Sequence, residues 1–270
     1  MQIRLIATDL DGTLVPAGGS TPERVLLTLE EAMRRGILVV PATGRTLTSI
    51  PPEISGLSGI RYIISSNGAA ITDRKERRRI HETLIPAPAA AEILRRLSVY
   101  GVYSCAYIHD TVYNWSELPS FLSNYYKNLE HFHKNGKKNL PSYIEENGLD
   151  VEKLFVAVGD PDTRNMIRQE FGDLPGLHLT SSSSYNLEFN RCDADKGKAL
   201  RWLCDYLEIP MNQVLAMGDN ENDHTMLQTA GITIAPENAS DETKLLVSQV
   251  VAACREGGTA DFIRKWILDV

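Results

Sequence analysis

Apolar runs rich in Ile and Val alternate with stretches of helical periodicity at both ends of this chain, and no other feature restricts its fold so far. Residues 3–10 read as a strand, 22–35 as a helix, and 37–40 and 62–64 as further strands. Toward the other end, 195–207 reads as a helix, 214–217 as a strand, 223–229 as a helix and 232–234 as a strand. A strand, a helix and a second strand in succession make a βαβ unit, with the strands parallel and the helix covering one face of their sheet. The first helix is punctuated at both ends: Thr21 is placed to cap it, Pro22 suits its first position and Gly36 stops it. An α/β fold around a mainly parallel sheet follows.

Between the two α/β stretches the texture changes. Pro86-Ala87-Pro88 opens a segment that four successive serines, Ser181 to Ser184, close. Within it, helices are expected over 89–100, 120–133 and 163–171, and strands over 102–107, 111–115, 154–158 and 177–180. Proline pairs and serine runs mark hinges, so 85–185 reads as an α+β domain inserted into a core made of 1–84 and 186–270. A chain of 270 residues is long enough for two cores. The dense charge run from Arg74 to Arg79 reads as a solvated hairpin turn. His131 and His133, two apart on a helix, diverge by about 200° and face solvent rather than a shared metal.

In open α/β sheets, ligands gather at the carboxyl ends of the parallel strands. Here residues 3–7 lead through Thr8 to Asp9 and Asp11, and 37–40 lead to Thr43-Gly44-Arg45. Residues 62–64 lead to Ser65-Ser66-Asn67-Gly68, and 214–217 to Gly218-Asp219-Asn220-Glu221-Asn222-Asp223. Together these ends offer carboxylates, hydroxyls and glycines to a cation and an anion. With strand geometry continued through residue 11, Asp9 and Asp11 face the same way, and a bound cation or a retained proton must relieve their repulsion. The donors are oxygens and no His/Cys cluster is present, so the expected cation is Mg2+, for which Asp9, Asp219 and a backbone carbonyl suffice. Phosphate is the matching anion, because a carboxylate attacking a phosphoryl group needs its repulsion cancelled by a metal and a lysine.

Composition narrows the class further. Lys and Arg number 28 against 35 Asp and Glu, a formal charge of -7 with no basic stripe, which argues against nucleic acid as the partner. No apolar stretch approaches the roughly 20 residues that span a bilayer, and the start lacks a signal-peptide core. Cys105, Cys192, Cys204 and Cys254 are scattered without paired spacing, which favours free thiols in a reducing compartment. The expectation is a cytoplasmic protein acting on a small phosphorylated metabolite, with neither membrane nor nucleic-acid partner.

The motifs, taken in order, resemble those of the haloacid dehalogenase superfamily, and within it the Cof-type sugar-phosphate phosphatases with a large cap. The first is Asp9-Leu10-Asp11-Gly12-Thr13-Leu14, the second Ala42-Thr43-Gly44-Arg45, and the third Lys196-Gly197-Lys198-Ala199-Leu200. The fourth is Gly218 to Asp223 followed by Met226-Leu227, and Ser66-Asn67-Gly68-Ala69 matches a subfamily signature. The resemblance implies a Rossmann-like parallel-sheet core with an inserted α+β cap. It implies that Asp9 is the nucleophile that forms an aspartyl-phosphate, and that Asp11 protonates the leaving alkoxide and later deprotonates water. Thr43 and the Gly44 amide would bind phosphoryl oxygens, with Lys196 neutralising developing charge and Asn222 close by. Mg2+ would sit on Asp9, the backbone oxygen of Asp11, and Asp219, with Asp223 fixing waters or Lys196. The implied activity is Mg2+-dependent hydrolysis of small phosphate monoesters, with a phosphosugar mutase or a phosphorylated receiver-like signalling module as alternatives. Asp193 and Asp195 depart from the pattern, which more often has a small polar residue before the lysine. Asp195 reads as the cap of the following helix, the other reading being a pair with Lys196.

Overall fold

β1 (Leu5–Thr8) has β11 (Val214–Met217) on one side and β2 (Leu38–Pro41) on the other, both parallel to it. Beyond β11 follow β12 (Ile232–Pro236) and β13 (Gln249–Val251), giving a five-stranded parallel sheet in the order β13-β12-β11-β1-β2. All four residues of β1 are buried, as expected of a parallel strand covered on both faces. The register decides what comes next: Thr8 pairs with Met217 and with Pro41, so the three central strands end level. The residues just beyond, Asp9, Ala42-Thr43 and Gly218-Asp219, therefore stand in one row along the carboxyl edge.

The computed structural model describes residues 2–115 and 135–269; the helix expected over 120–133, with His131 and His133, lies outside them. The chain divides into two compact units. Met1–Arg45, Ile50–His81 and Asp195–Val270 make the first, and Thr46–Ser49 with Glu82–Ala194 the second.

In the first unit, the helix Glu23–Arg34 buries Val25, Thr28, Leu29 and Ala32, a stripe at helical spacing. Pro22 itself is its N-cap, in an extended conformation, and no side chain caps it. Thr21 therefore stands one residue too early, and its buried hydroxyl has no hydrogen-bond partner, contrary to the expected cap. The helix Lys196–Tyr206 packs Ala199, Leu200, Leu203 and Cys204 against Leu5, Ala7, Val40, Val214 and Ala216 of the sheet. β3 (Tyr62–Ser65) is a strand running parallel to the extension of β2, as expected, but it is not a member of the main sheet. It meets the main sheet through a single bridge, Ala42 to Ile64, and belongs instead to a three-stranded sheet with β4 (Ala70–Asp73) and β5 (Arg78–Glu82). The tight turn after Ser65 returns the chain antiparallel as β4, whereas the bridge to Ala42 is parallel. The run Arg74 to Arg79 does cover the β4–β5 turn, but Arg74 is not merely solvated, since its guanidinium donates to the carbonyls of Ser55 (2.6 Å) and Ile60 (2.9 Å).

The second unit carries an antiparallel sheet in the order β7-β6-β8-β10-β9, made of β6 (Tyr103–Ile108), β7 (Thr111–Asn114), β8 (Lys153–Ala157), β9 (Leu177–Thr180) and β10 (Asn186–Arg191). One face packs Ile108, Leu154, Val156, Leu187 and Phe189 into a core with residues of the helices Ala87–Leu97, Leu140–Glu146 and Pro161–Phe171. The expected boundary at 185/186 moves to 194/195, because residues 186–191 form a full strand hydrogen-bonded to β8 and β9. Among the described residues, no helix is long and apolar enough to cross a membrane, and all four cysteines are free thiols.

Candidate active site

Asp9 is the first residue after β1. Its amide donates to the Met217 carbonyl at 2.9 Å, which carries the β1–β11 ladder one residue past the strand, and its side chain is buried. Lys196, the first residue of its helix, is fully buried and brings Nζ to 2.5 Å from Asp9 Oδ1 and 2.7 Å from Asp223 Oδ1. The other oxygen of Asp223 accepts the amides of Asp219 (2.9 Å) and Asn220 (3.1 Å), closing a reciprocal cap with Asn220. Asp219 is held in turn by the Thr13 hydroxyl at 3.1 Å and by Asn220 Nδ2 at 2.8 Å. The approach of the first motif to Asp219 requires glycine at residue 12: its φ is +88°, and a Cβ there would fall 2.2 Å from Asp219 Oδ2. Asn238 fastens the same turn, donating to the Gly12 carbonyl at 2.8 Å while accepting the Cys254 amide at 2.8 Å.

One carboxylate oxygen from each of Asp9, Asp219 and Asp223 lies within 4.8 Å of the others, so three buried acids crowd around one ammonium that pairs with only two of them. Burial pushes the Asp9 carboxyl up to about 7, reinforced by Asp223 and Asp11 and opposed by Lys196. Burial, with Asp9 and Asp223 adding to it, also holds Asp219 well above the usual carboxylate range. Burial alone would lower Lys196, yet Asp223 and Asp9 together keep it above the ordinary lysine value. An excess of buried negative charge among hard oxygen donors is what a divalent cation relieves, and Mg2+ suits such donors. Burial, with Asp219, Asp9 and Asp11 adding to it, pushes the Cys254 thiol up to about 12.

The structure parts the Asp9/Asp11 pair. The strand ends at Thr8, so the alternation of faces does not run on to residue 11. Asp11 is exposed and lies in a bidentate grip, with Arg45 Nε at 2.7 Å from Oδ2 and a terminal nitrogen at 2.6 Å from Oδ1. The charge conflict inferred between Asp9 and Asp11 falls instead mainly among Asp9, Asp219 and Asp223, a pair four residues apart meeting a carboxylate some 210 residues away.

Thr43, fully buried beyond β2, accepts the Arg45 amide on Oγ1 at 3.1 Å, which leaves its hydroxyl proton to donate; Gly44 lies in the same bend. Asn222 Nδ2 donates to Asn67 Oδ1 at 3.2 Å, and the Asn67 amide donates to the Thr43 carbonyl at 3.0 Å. Asp195 caps its helix, accepting the Lys198 amide at 2.8 Å and pairing with Lys198 Nζ at 3.0 Å, while Lys196 Nζ goes to Asp9 and Asp223. Asp193 pairs with Arg191 at 2.9 Å. Sequence reasoning assigned no task to Thr13, Arg45, Asn67, Asn220 or Asn238. The first four lie inside the strand-end or motif segments, and Asn238 lies outside all of them.

Comparison with known proteins agrees with this architecture. A family profile described as haloacid dehalogenase-like hydrolase matches residues 6–263, and the chain belongs to that family. The chain is 28% identical to the 5-amino-6-(5-phospho-D-ribitylamino)uracil phosphatase YcsE of Bacillus subtilis, across 99% of this chain and 97% of the relative. It is 27% identical to a phosphoglycolate phosphatase of Methanopyrus kandleri, across 98% of each. The solved structure of a haloacid dehalogenase-like hydrolase from B. subtilis superposes with a TM-score of 0.88 at 26% identity, over 98% of this chain and 100% of that one.

Proposed function

We propose that the protein is a phosphatase that hydrolyses small phosphate monoesters of metabolites in the presence of Mg2+, through a phosphoryl group carried on Asp9. The observation that carries this reading is the buried Lys196 ammonium bridging Asp9 and Asp223, beside Asp219, at the level carboxyl ends of β1 and β11. Mg2+, held by Asp9, Asp219 and the Asp11 carbonyl, would supply positive charge against the phosphoryl oxygens.

The chain's own groups do the rest. Lys196 holds one oxygen of Asp9 and favours its ionised form, so the carboxylate can attack phosphorus. An Asp9 oxygen–phosphorus bond forms as the ester oxygen–phosphorus bond breaks, and Asp11 delivers its proton to the departing alkoxide. Water then attacks the same phosphorus, Asp11 recovers a proton from it, and the bond to Asp9 breaks to release phosphate. Asp11 must leave the Arg45 fork to reach the departing alkoxide in the first step and the attacking water in the second. Thr43, the Gly44 amide and Asn222 bind the phosphoryl oxygens. The two named relatives dephosphorylate very different compounds, so family membership alone does not set the leaving group. Four free thiols and a net charge of -7 support a small metabolite in a reducing, cytoplasmic setting.

The test is phosphate release from sugar phosphates, FMN, pyridoxal phosphate and nucleotides, with and without Mg2+. Release is expected to need Mg2+ and to vanish in Asp9→Asn and Asp219→Ala. Normal turnover by a folded Asp9→Asn protein would remove Asp9 as nucleophile.

A further inference from the structure

Ser66, Asn67 and Gly68 all have left-handed backbone, with φ of 51°, 58° and 94°. L residues avoid this region, and two side-chain-bearing residues in a row there are strained unless their surroundings fix them. The surroundings do so on every side. The Ser66 amide donates to the Arg45 carbonyl at 2.9 Å and the Asn67 amide to the Thr43 carbonyl at 3.0 Å. At Gly68 a Cβ would lie 2.4 Å from the Asp195 carbonyl oxygen, so only glycine lets this turn rest against the start of the Lys196 helix. The Asn67 side chain, 1% exposed, accepts Asn222 Nδ2 at 3.2 Å. One strained, buried turn thus touches the segments that carry Thr43, Lys196 and Asn222, yet supplies none of the groups used above.

We propose that Asn67 is a positioning residue that fixes the Asn222 amide for the phosphoryl group, and that the left-handed turn exists to present it. This rests on the phosphatase reading and deepens it. With one N–H of Asn222 committed to Asn67, the amide plane is set before substrate arrives, and no rotamer freedom remains to be lost at the transition state. Strain held at a turn that only orients a neighbour is what pre-organisation requires.

Asn67→Gly separates side chain from backbone, because glycine adopts the left-handed conformation freely while removing the acceptor. With Mg2+ and the best substrate from the screen, kcat is expected to fall about tenfold, the effect of one lost hydrogen bond. Inhibition by inorganic phosphate should weaken, with the Mg2+ requirement unchanged. Because Asn67 acts through Asn222, the double variant Asn67→Gly/Asn222→Ala should be no slower than Asn222→Ala alone. Wild-type kcat in Asn67→Gly, or losses that multiply in the double variant, would overturn the proposal. Should Asn67→Gly not fold, Asn67→Asp keeps both an acceptor and tolerance for the turn. Its kcat is then expected above that of Asn222→Ala, and a value at or below it counts against the idea. Turnover surviving in Asp9→Asn would instead sink the phosphatase reading itself, so the two failures are distinguishable.

Discussion

Lys196 shows how much one side chain can decide. It is the ammonium between two buried carboxylates, and removing it leaves both without a counter-charge. Lys196→Met is therefore expected to cost about 3 kcal/mol or more in metal-free protein, read by urea denaturation, besides ending turnover. Asp9 gives a pH signature. Its folded value is raised from 3.8 to about 7, so the folded state holds a proton that the unfolded chain has released. The associated stability is present below about pH 4 and is lost as pH rises through about 7. Mg2+ must displace that proton, so the rise in melting temperature on adding Mg2+ should grow between pH 5 and 8, and this growth should be smaller in Asp9→Asn, where Asp219 alone remains raised. A pH-independent Mg2+ effect in the wild type would contradict the assignment.

At the scale of elements, the β3–β4 hairpin is secured by a pair remote from the chemistry. Asp73 is buried, lies 2.8 Å from a terminal nitrogen of Arg61 and accepts the amides of Lys75 (2.9 Å) and Glu76 (3.2 Å) on Oδ1. Burial opposes the ionised Asp73, but Arg61 and the turn amides outweigh it and hold the carboxyl below its ordinary value. Its contribution is present above about pH 4 and lost as pH falls further. Asp73→Asn should cost about 1–3 kcal/mol at pH 7 and flatten stability on the acid side, measured by urea denaturation at several pH values. Elements whose cause is local were legible in the sequence: residues 177–180 and 214–217 are strands as read, and Asp195 caps its helix. Elements decided by distant partners were not. β3 has an apolar pattern that fits a member of the main sheet equally well, and residues 186–191 join the second sheet only through pairing with β8 and β9. The site divides likewise. Asp9, Lys196, Asp219 and Asp223 were readable from motif residues, whereas the turn of Asp11 toward Arg45 and the Asn238 contact depend on folded geometry.

At the scale of the molecule, every residue assigned to the chemistry lies in the first unit, and the antiparallel sheet of β6 to β10 forms a separate core. Mg2+-dependent protection from hydrogen exchange is accordingly expected in β1, β11 and the helix Lys196–Tyr206, and not in β6, β8 or β10. Equal protection of both units would place the ion elsewhere. The first unit is also discontinuous, and this bears on how the chain is made. On the ribosome β1 and β2 emerge early, but β11, the other neighbour of β1, follows only after Glu82–Ala194 has been synthesised, about ten seconds later at common elongation rates. Apart from the short piece Thr46–Ser49, the second unit is one continuous stretch, Glu82–Ala194, and can complete its core first. The nascent β1 must wait with one edge unpaired, which makes the interval before Val214 emerges the time when this protein is most exposed to aggregation.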